Sequence, residues 1–163
     1  MEQSQSQEDF NCMLEKLRLE QNLSFAIIAS LVSAIVMAIL WAILTITSGY
    51  QFSIMAIVVG LSVGFAVRFA GKGIDGIYGW IGAIGALLAC IIGNFFSYVG
   101  YISLEPESDM SYFESMIFLL SNMQITAEIM LEVFSPIDLI FYVFAVFEGY
   151  RFSFRKIDSN RFS

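Results

Sequence analysis

Residues Ser24–Thr47 read SFAIIASLVSAIVMAILWAILTIT and contain no Asp, Glu, Lys or Arg. An α-helix rises 1.5 Å per residue, so roughly 20 apolar residues are enough to cross the hydrocarbon core of a bilayer. This stretch therefore predicts a transmembrane helix. The composition agrees, because 58% of the residues are hydrophobic and only 14% are charged, against about 25% charged in ordinary soluble domains.

Three further apolar stretches follow along the chain. Residues 51–68 come after a short polar break, and residues 76–102 after a glycine-rich basic connection. The last stretch, 136–154, has a clear start: Ser135 can cap a helix, Pro136 suits the first helical position, and Asp138 suits the first turn. We therefore expect an all-α polytopic membrane protein, a single domain over residues 1–163 with four transmembrane helices at 24–47, 51–68, 76–102 and 136–154.

The segments outside these spans are polar or amphipathic. In residues 1–23, Phe10, Met13, Leu14 and Leu17 recur at helical spacing, which predicts an amphipathic helix in the N-terminal tail. Residues 103–135 carry six acidic residues and no basic ones among Met, Ile, Leu and Phe. Two short amphipathic helices at the membrane interface are one interpretation of this outer segment, and a re-entrant hairpin is the other. Residues 155–163 form the C-terminal tail.

The positions of the basic residues predict the orientation of the spans. All eight Lys and Arg fall in three places: Lys16 and Arg18; Arg68 and Lys72; and Arg151, Arg155, Lys156 and Arg161. With four spans these places share one side of the membrane, which the positive-inside rule assigns to the cytoplasm. Both termini are then cytoplasmic, and Trp41 and Trp80 are expected in the aromatic belts at the two interfaces.

Composition also excludes several classes of function. A formal charge of -7 argues against nucleic acid as a partner, since that role needs a basic face. The chain has no histidine, which removes histidine-ligated metals and His-based catalysis. The two cysteines, Cys12 and Cys90, form no CxxC pair. We therefore expect a non-enzymatic protein without a cofactor or a metal, whose partners are the lipid bilayer and other membrane proteins.

Small residues mark the faces along which spans can pack closely. They are Gly60 and Gly64 in the second span, and Gly82, Ala86, Ala89 and Gly93 in the third. Close backbone approach is what such faces allow, because lipid offers apolar helices no hydrophobic reason to associate. We expect the second and third spans to pack together, with packing inside the chain preferred over dimerisation. Asn94 and Ser97 can add hydrogen bonds across helices.

Two groups of charged residues are candidates for function. Glu148 lies within the last span, where an ionisable group is costly, so we expect it to pair with Arg151 or Arg68 near the inner interface. A proton- or cation-coupling role is the alternative for this carboxylate. Outside the membrane, a possible acidic vestibule that would concentrate cations comprises Glu105, Glu107, Asp109 and Glu114.

Two stretches carry a resemblance to known sequences. GLSVGFAVRFAGKGIDGIYGWIGA at Gly60–Ala83 and SPIDLIFYVFAVFEGYRFSF at Ser135–Phe154 resemble a loose group of small, uncharacterised bacterial inner-membrane proteins with four predicted spans. The resemblance implies the bacterial inner (plasma) membrane as the location. It brings no activity, cofactor or catalytic residue.

These observations lead to three functional hypotheses. The first is a non-enzymatic integral membrane subunit that forms a homo-oligomer or docks on another membrane protein. Its motivation is the small size of the chain and the absence of catalytic residue patterns. The alternatives are a small oligomeric ion channel or pore, and a membrane component of immunity or anti-phage defence.

Overall fold

The computed structural model describes residues 2–50, 54–106 and 109–155, and within these ranges it contains seven α-helices and no β-strand. The helices are α1 (Glu2–Leu19), α2 (Leu23–Ser48), α3 (Met55–Gly71), α4 (Gly76–Leu104), α5 (Tyr112–Ser121), α6 (Met123–Val133) and α7 (Pro136–Phe152). The predicted all-α class is confirmed for this part of the chain.

Two of these helices, α2 and α4, are long and apolar enough to cross a membrane. A third candidate span arises if α6 and α7, which meet at a bend of 100°, count as one broken span. α3 is apolar but has only 17 residues. Length and composition thus indicate membrane association through two or three helices.

Helices α2, α3, α4 and α7 pack into a bundle. α3 and α4 contact each other, and each of them also contacts both α2 and α7. α5 packs against α4, and α6 against α5. The core therefore lies between the four bundle helices, with α5 and α6 attached at one side.

The bundle places small side chains inside and large apolar side chains outside. Along α2 the buried positions include Ala26, Ala34, Ala38 and Ala42, whereas the exposed positions are mostly Leu, Ile and Val. A protein folded in water gains most by burying its large apolar side chains. The reverse arrangement suits a bilayer, where lipid solvates the large side chains and helices associate through small ones.

The start of α7 is built as the sequence predicts. The Ser135 hydroxyl accepts a hydrogen bond from Ile137 N at 3.4 Å, and the Asp138 carboxylate accepts one from Ser135 N at 3.0 Å. Pro136 occupies the beginning of the helix, where its missing N–H has no intrahelical partner to lose. This capping box fixes where α7 begins, and it fixes the position of Asp138.

The predicted amphipathic pattern of α1 is also present. Phe10, Met13, Leu14 and Leu17 are half-buried, while the charged side chains described around them are exposed. The prediction for Trp41 is wrong, because this side chain is 1% exposed and packs against Gly93 of α4. A glycine at that position leaves room for the indole between α2 and α4. Trp80 is 62% exposed, and its position in an aromatic belt stays a prediction.

Candidate functional site

Four polar side chains meet where α4 packs against α7, and we refer to them as the buried polar cluster. They are Asn94 and Tyr98 on α4, and Asp138 and Tyr142 on α7. Each pair is four residues apart, so both members lie on the same face of their helix. Asn94, Tyr98 and Asp138 are 4%, 8% and 4% exposed, and Tyr142 is half-buried. A buried carboxylate in such surroundings is costly and often functional.

Hydrogen bonds join the two helices at this cluster. The Asn94 side-chain amide donates to the Tyr142 hydroxyl, and that hydroxyl lies 3.5 Å from the Cys90 carbonyl oxygen, to which it donates. The Asp138 carboxylate accepts from Ser135 N at the start of α7, one helical turn from Tyr142. The interface between α4 and α7 therefore has a polar centre within an otherwise apolar bundle.

A cavity of about 210 Å³ lies beside the buried polar cluster. Its lining residues come from α4, from the end of α6 and from α7: Ile91, Asn94, Tyr98, Met130, Leu131, Phe134 and Tyr142. The rings of Phe134 and Tyr142 meet edge to face, with centroids 5.6 Å apart. Three aromatic side chains thus line the cavity. Asp138 lies one helical turn from one of them, Tyr142.

Only part of this cluster could be predicted from the sequence. Asn94 was expected to bond across helices, and it does so to Tyr142, whereas Ser97 donates to Gly93 O on its own helix at 2.8 Å. Asp138 was interpreted only as an acidic residue that suits the first turn of the last span. The signal that could have found the site is the presence of a polar pair at helical spacing in each of two apolar segments.

The glycines of α3 are covered by α7. A Cβ atom built at Gly60 would lie 2.8 Å from the Ala145 Cα, and one at Gly64 would lie 3.1 Å from the Gly149 oxygen. The expected partner of these glycines was the small-residue face of α4. The structure instead places the backbone of α7 against them.

The small-residue face of α4 divides between two neighbours. Gly82 lies against Gly149 of α7, whereas Gly93 receives the indole of Trp41 from α2. Ala86 and Ala89 are fully buried in the core. The face is therefore used for packing inside the chain, and α7 covers the part of it nearer the start of α4.

Helix α7 has a small-residue face of its own, which the sequence analysis did not single out. Ala145, Gly149 and Ser153 follow one another at four-residue spacing, and all three are buried. A Cβ atom at Gly149 would lie 2.7 Å from the Gly82 oxygen and 2.9 Å from the Ala86 Cβ. This face is what lets α7 approach α3 and α4 at the same time.

The expected ion pair of Glu148 is not formed. The salt bridges among the described residues are Arg18–Asp75 at 3.6 Å and Arg155–Glu20 at 2.7 Å. The Arg151 guanidinium lies over the ring of Phe152, 5.9 Å from its centroid. An exposed arginine at a helix end can cover an aromatic face while its charge stays in water, which explains why Arg151 does not fold back onto Glu148. Arg68 is half-buried and takes part in neither salt bridge.

A second group of polar contacts, which we refer to as the basic-end cluster, lies at the end of the bundle that carries the basic residues. It consists of Glu20, Gln21, Gly73, Ile74, Asp75 and Arg155. Gln21 Oε1 accepts from Ile74 N at 3.0 Å and Asp75 N at 3.3 Å, and its Nε2 donates to Asp75 Oδ2 at 2.9 Å. Arg155 N donates to Gly73 O at 2.9 Å. The three basic regions predicted to share a side thus meet at one end of the bundle.

One carboxylate of this basic-end cluster has a shifted pKa. The Arg155 guanidinium donates a hydrogen bond to Glu20 and adds a favourable charge, which together lower the pKa of Glu20 below 4.5. The pair is largely exposed to water. The stabilisation that this pair gives to the end of the bundle therefore depends on pH. The pair does not form a buried site.

The residues of the predicted acidic vestibule are exposed at the opposite end of the bundle, as far as they are described. They are Glu105, Asp109 and Glu114, and Glu107 lies outside the described residues. Glu114 closes a capping box with Ser111, whose N donates to the carboxylate at 2.7 Å, and this bond lowers the pKa of Glu114. Within the described ranges no three His, Cys, Asp or Glu side chains are grouped so that they could hold a metal ion.

Comparisons with protein-family models, with curated proteins and with solved structures found no significant match.

Proposed function

We propose that this protein is a non-enzymatic integral membrane subunit that self-associates or docks on another membrane protein, with α5 and α6 as its contact surface. The observation that carries this proposal is the exposure of large apolar side chains on these two helices. Phe113, Ile117, Met123 and Leu131 are 70%, 60%, 69% and 75% exposed. With 10 and 11 residues, neither helix is long enough to span a bilayer alone. Such a surface requires cover by a partner or by the membrane interface.

The proposal includes four spans formed by α2, α3, α4 and α7. α3 and α7 have 17 residues each, or roughly 26 Å, and short spans are accommodated by thinning of the bilayer and by flanking residues. The basic-end cluster supports an even number of crossings, because Arg155 after α7 bonds to Glu20 before α2. Its basic residues favour the cytoplasmic side, and the resemblance stated above favours the bacterial inner membrane.

Topology can be tested with reporter fusions to the C-terminus and to the segment between α4 and α5. The proposal expects the C-terminal reporter in the cytoplasm and the other reporter outside. Reporters on the same side would contradict the four-span topology.

Association can be tested by measuring the mass of the purified protein in lipid nanodiscs. The proposal expects a homo-oligomer or a stoichiometric membrane-protein partner, and it expects the Ile117→Asn variant to lose that association. A matched control is Ile28→Asn on α2, which replaces a similarly exposed isoleucine (57%) outside the proposed surface. A monomer without a partner for the wild type, or equal loss in both variants, would contradict the proposal.

A second candidate, a small oligomeric cation channel, is favoured by the exposed carboxylates Glu105, Asp109 and Glu114 at one end of the bundle. Acidic rings at a pore entrance raise the local concentration of cations. Cation flux into liposomes that falls in the triple Gln/Asn variant of these residues would favour this function over simple docking. Liposomes that show no flux would exclude it.

A further inference from the structure

Three aromatic side chains line the cavity beside the buried polar cluster, and a buried carboxylate lies one helical turn away on α7. Tyr98, Phe134 and Tyr142 supply three rings of its wall. Asp138 is not a lining residue, but it is 4% exposed and lies one turn from Tyr142 on the same helix face. Rings attract cations through the negative charge density of their faces, and a carboxylate adds a full negative charge. In surroundings of low dielectric constant, both interactions are stronger than they are in water.

The remaining lining residues favour an organic cation over a metal ion. Ile91, Met130 and Leu131 offer only apolar surface, which matches alkyl groups but cannot replace the water ligands of a metal. The described residues also hold no group of three metal-binding side chains. A volume of about 210 Å³ lies below the roughly 300–1,000 Å³ of pockets for drug-sized ligands, so the ligand must be small.

The cavity is reachable from outside the bundle. Leu131, one of its lining residues, is 75% exposed, and the part of the wall contributed by α6 belongs to a helix that packs mainly against α5. We propose that this cavity binds a small quaternary ammonium ion, held by the rings of Tyr98, Phe134 and Tyr142 and attracted by the charge of Asp138 one helical turn away. The site shares Leu131 with the docking surface proposed above, but most of its lining belongs to α4 and α7, so choline binding and association can be measured separately.

The first experiment compares choline with 3,3-dimethyl-1-butanol, its uncharged isostere of the same shape. Both are titrated calorimetrically into the full-length protein in nanodiscs, in a buffer free of amines. The proposal expects saturable binding of choline at least tenfold tighter than that of the alcohol. Equal affinity for the two probes, or no binding of choline, would overturn it.

The second experiment removes the charge of Asp138 while keeping its shape. In Asp138→Asn the side-chain oxygen can still accept from Ser135 N, so the capping box is retained. Choline affinity is expected to fall at least tenfold. The control is Glu128→Gln, which removes an exposed charge on α6 and should change the affinity less than twofold. Unchanged affinity in Asp138→Asn would overturn the proposal.

A third variant covers the case in which Asp138→Asn does not fold. Phe134→Leu removes one aromatic face, and choline affinity should fall at least threefold while the affinity for 3,3-dimethyl-1-butanol changes little. Phe144→Leu, at an exposed phenylalanine of α7 outside the cavity, is the matched control and should bind choline as the wild type does. If the two variants bind choline equally well, the aromatic part of the proposal is wrong.

Discussion

Replacing Gly149 by valine should separate α7 from the rest of the bundle. A Cβ atom at this position would lie 2.7 Å from the Gly82 oxygen and 2.9 Å from the Ala86 Cβ, whereas ordinary contacts begin near 3.4 Å. Both obstacles belong to α4 itself and cannot rotate away, so the helices must move apart by several tenths of an ångström. Because Gly149 also lies against Gly64, the contact between α7 and α3 loosens as well.

The size of the effect follows from two opposing terms. Overpacking of a close-packed interior costs about 1–3 kcal/mol, and the better helix propensity of valine over glycine returns a few tenths of a kcal/mol. We expect a net loss of about 1–2.5 kcal/mol in the free energy of unfolding, which is roughly a 5- to 70-fold fall in the folding equilibrium constant.

The assay is reversible unfolding by sodium dodecyl sulfate in mixed micelles, followed by circular dichroism. The control is Gly76→Val at the start of α4, where a Cβ atom would meet nothing within 4 Å, and it should change the free energy of unfolding by less than about 0.5 kcal/mol. If Gly149→Val loses no more than this control, the close approach of α7 to α4 is not what holds the bundle together. In the double variant of Gly82→Val and Gly149→Val, the loss in the free energy of unfolding should be smaller than the sum of the two single losses. The reason is that both changes open the same contact.

Three further predictions use the same purified protein. Tyr142→Phe removes the hydroxyl that accepts from Asn94, and it should lower the free energy of unfolding by about 0.6–1.7 kcal/mol; an unchanged value would contradict that bond. The pKa of Glu20 is lowered by Arg155, so the stabilisation by this carboxylate is complete above pH 4.5 and is lost as the pH falls through the lower folded-state value. Thermal unfolding should therefore separate wild type from Glu20→Gln at pH 7, with a gap that shrinks towards pH 3, and a constant gap would refute the pairing. A polar maleimide should add one label to the native protein, at the exposed thiol of Cys12 and not at the buried thiol of the other cysteine, and mass spectrometry should show a second label only after unfolding.

The helices could be predicted because the signals for them are local. An uncharged apolar stretch such as Ser24–Thr47 has few ways to satisfy its backbone except as a helix. The start of α7 could be predicted in atomic detail, since Ser135, Pro136 and Asp138 act within a single turn. The end of α3 was placed too early at Arg68, because the helix continues to Gly71 and stops where Lys72 adopts a left-handed conformation with φ 49°.

The choice of packing partners could not be predicted in the same way. Helical spacing shows which residues share a face, but it does not say which neighbouring helix will cover that face. Gly60 and Gly64 were therefore assigned to α4, while the backbone of α7 takes that place. The small-residue face of α7 was overlooked because Phe, Tyr and charged residues separate Ala145, Gly149 and Ser153 along the sequence.

The candidate binding site escaped prediction for a related reason. In an apolar segment, Tyr98 and Tyr142 count as hydrophobic residues, and only the pairing of α4 with α7 brings Asn94 to the Tyr142 hydroxyl. Glu148 was the more conspicuous carboxylate because it lies within an apolar span, where an ionisable group is costly. Neither Arg151 nor Arg68 forms a salt bridge with it among the described residues.

The bonds of the basic-end cluster become available in the order in which the chain is synthesised. The bonds from Gln21 to residues 74 and 75 join parts that leave the ribosome early, so they can form before α7 exists. Those of Arg155 to Gly73 and Glu20 become available only after the last helix has been translated. A nascent chain that stops short of this arginine therefore lacks the bonds that join the end of α7 to Glu20 and Gly73.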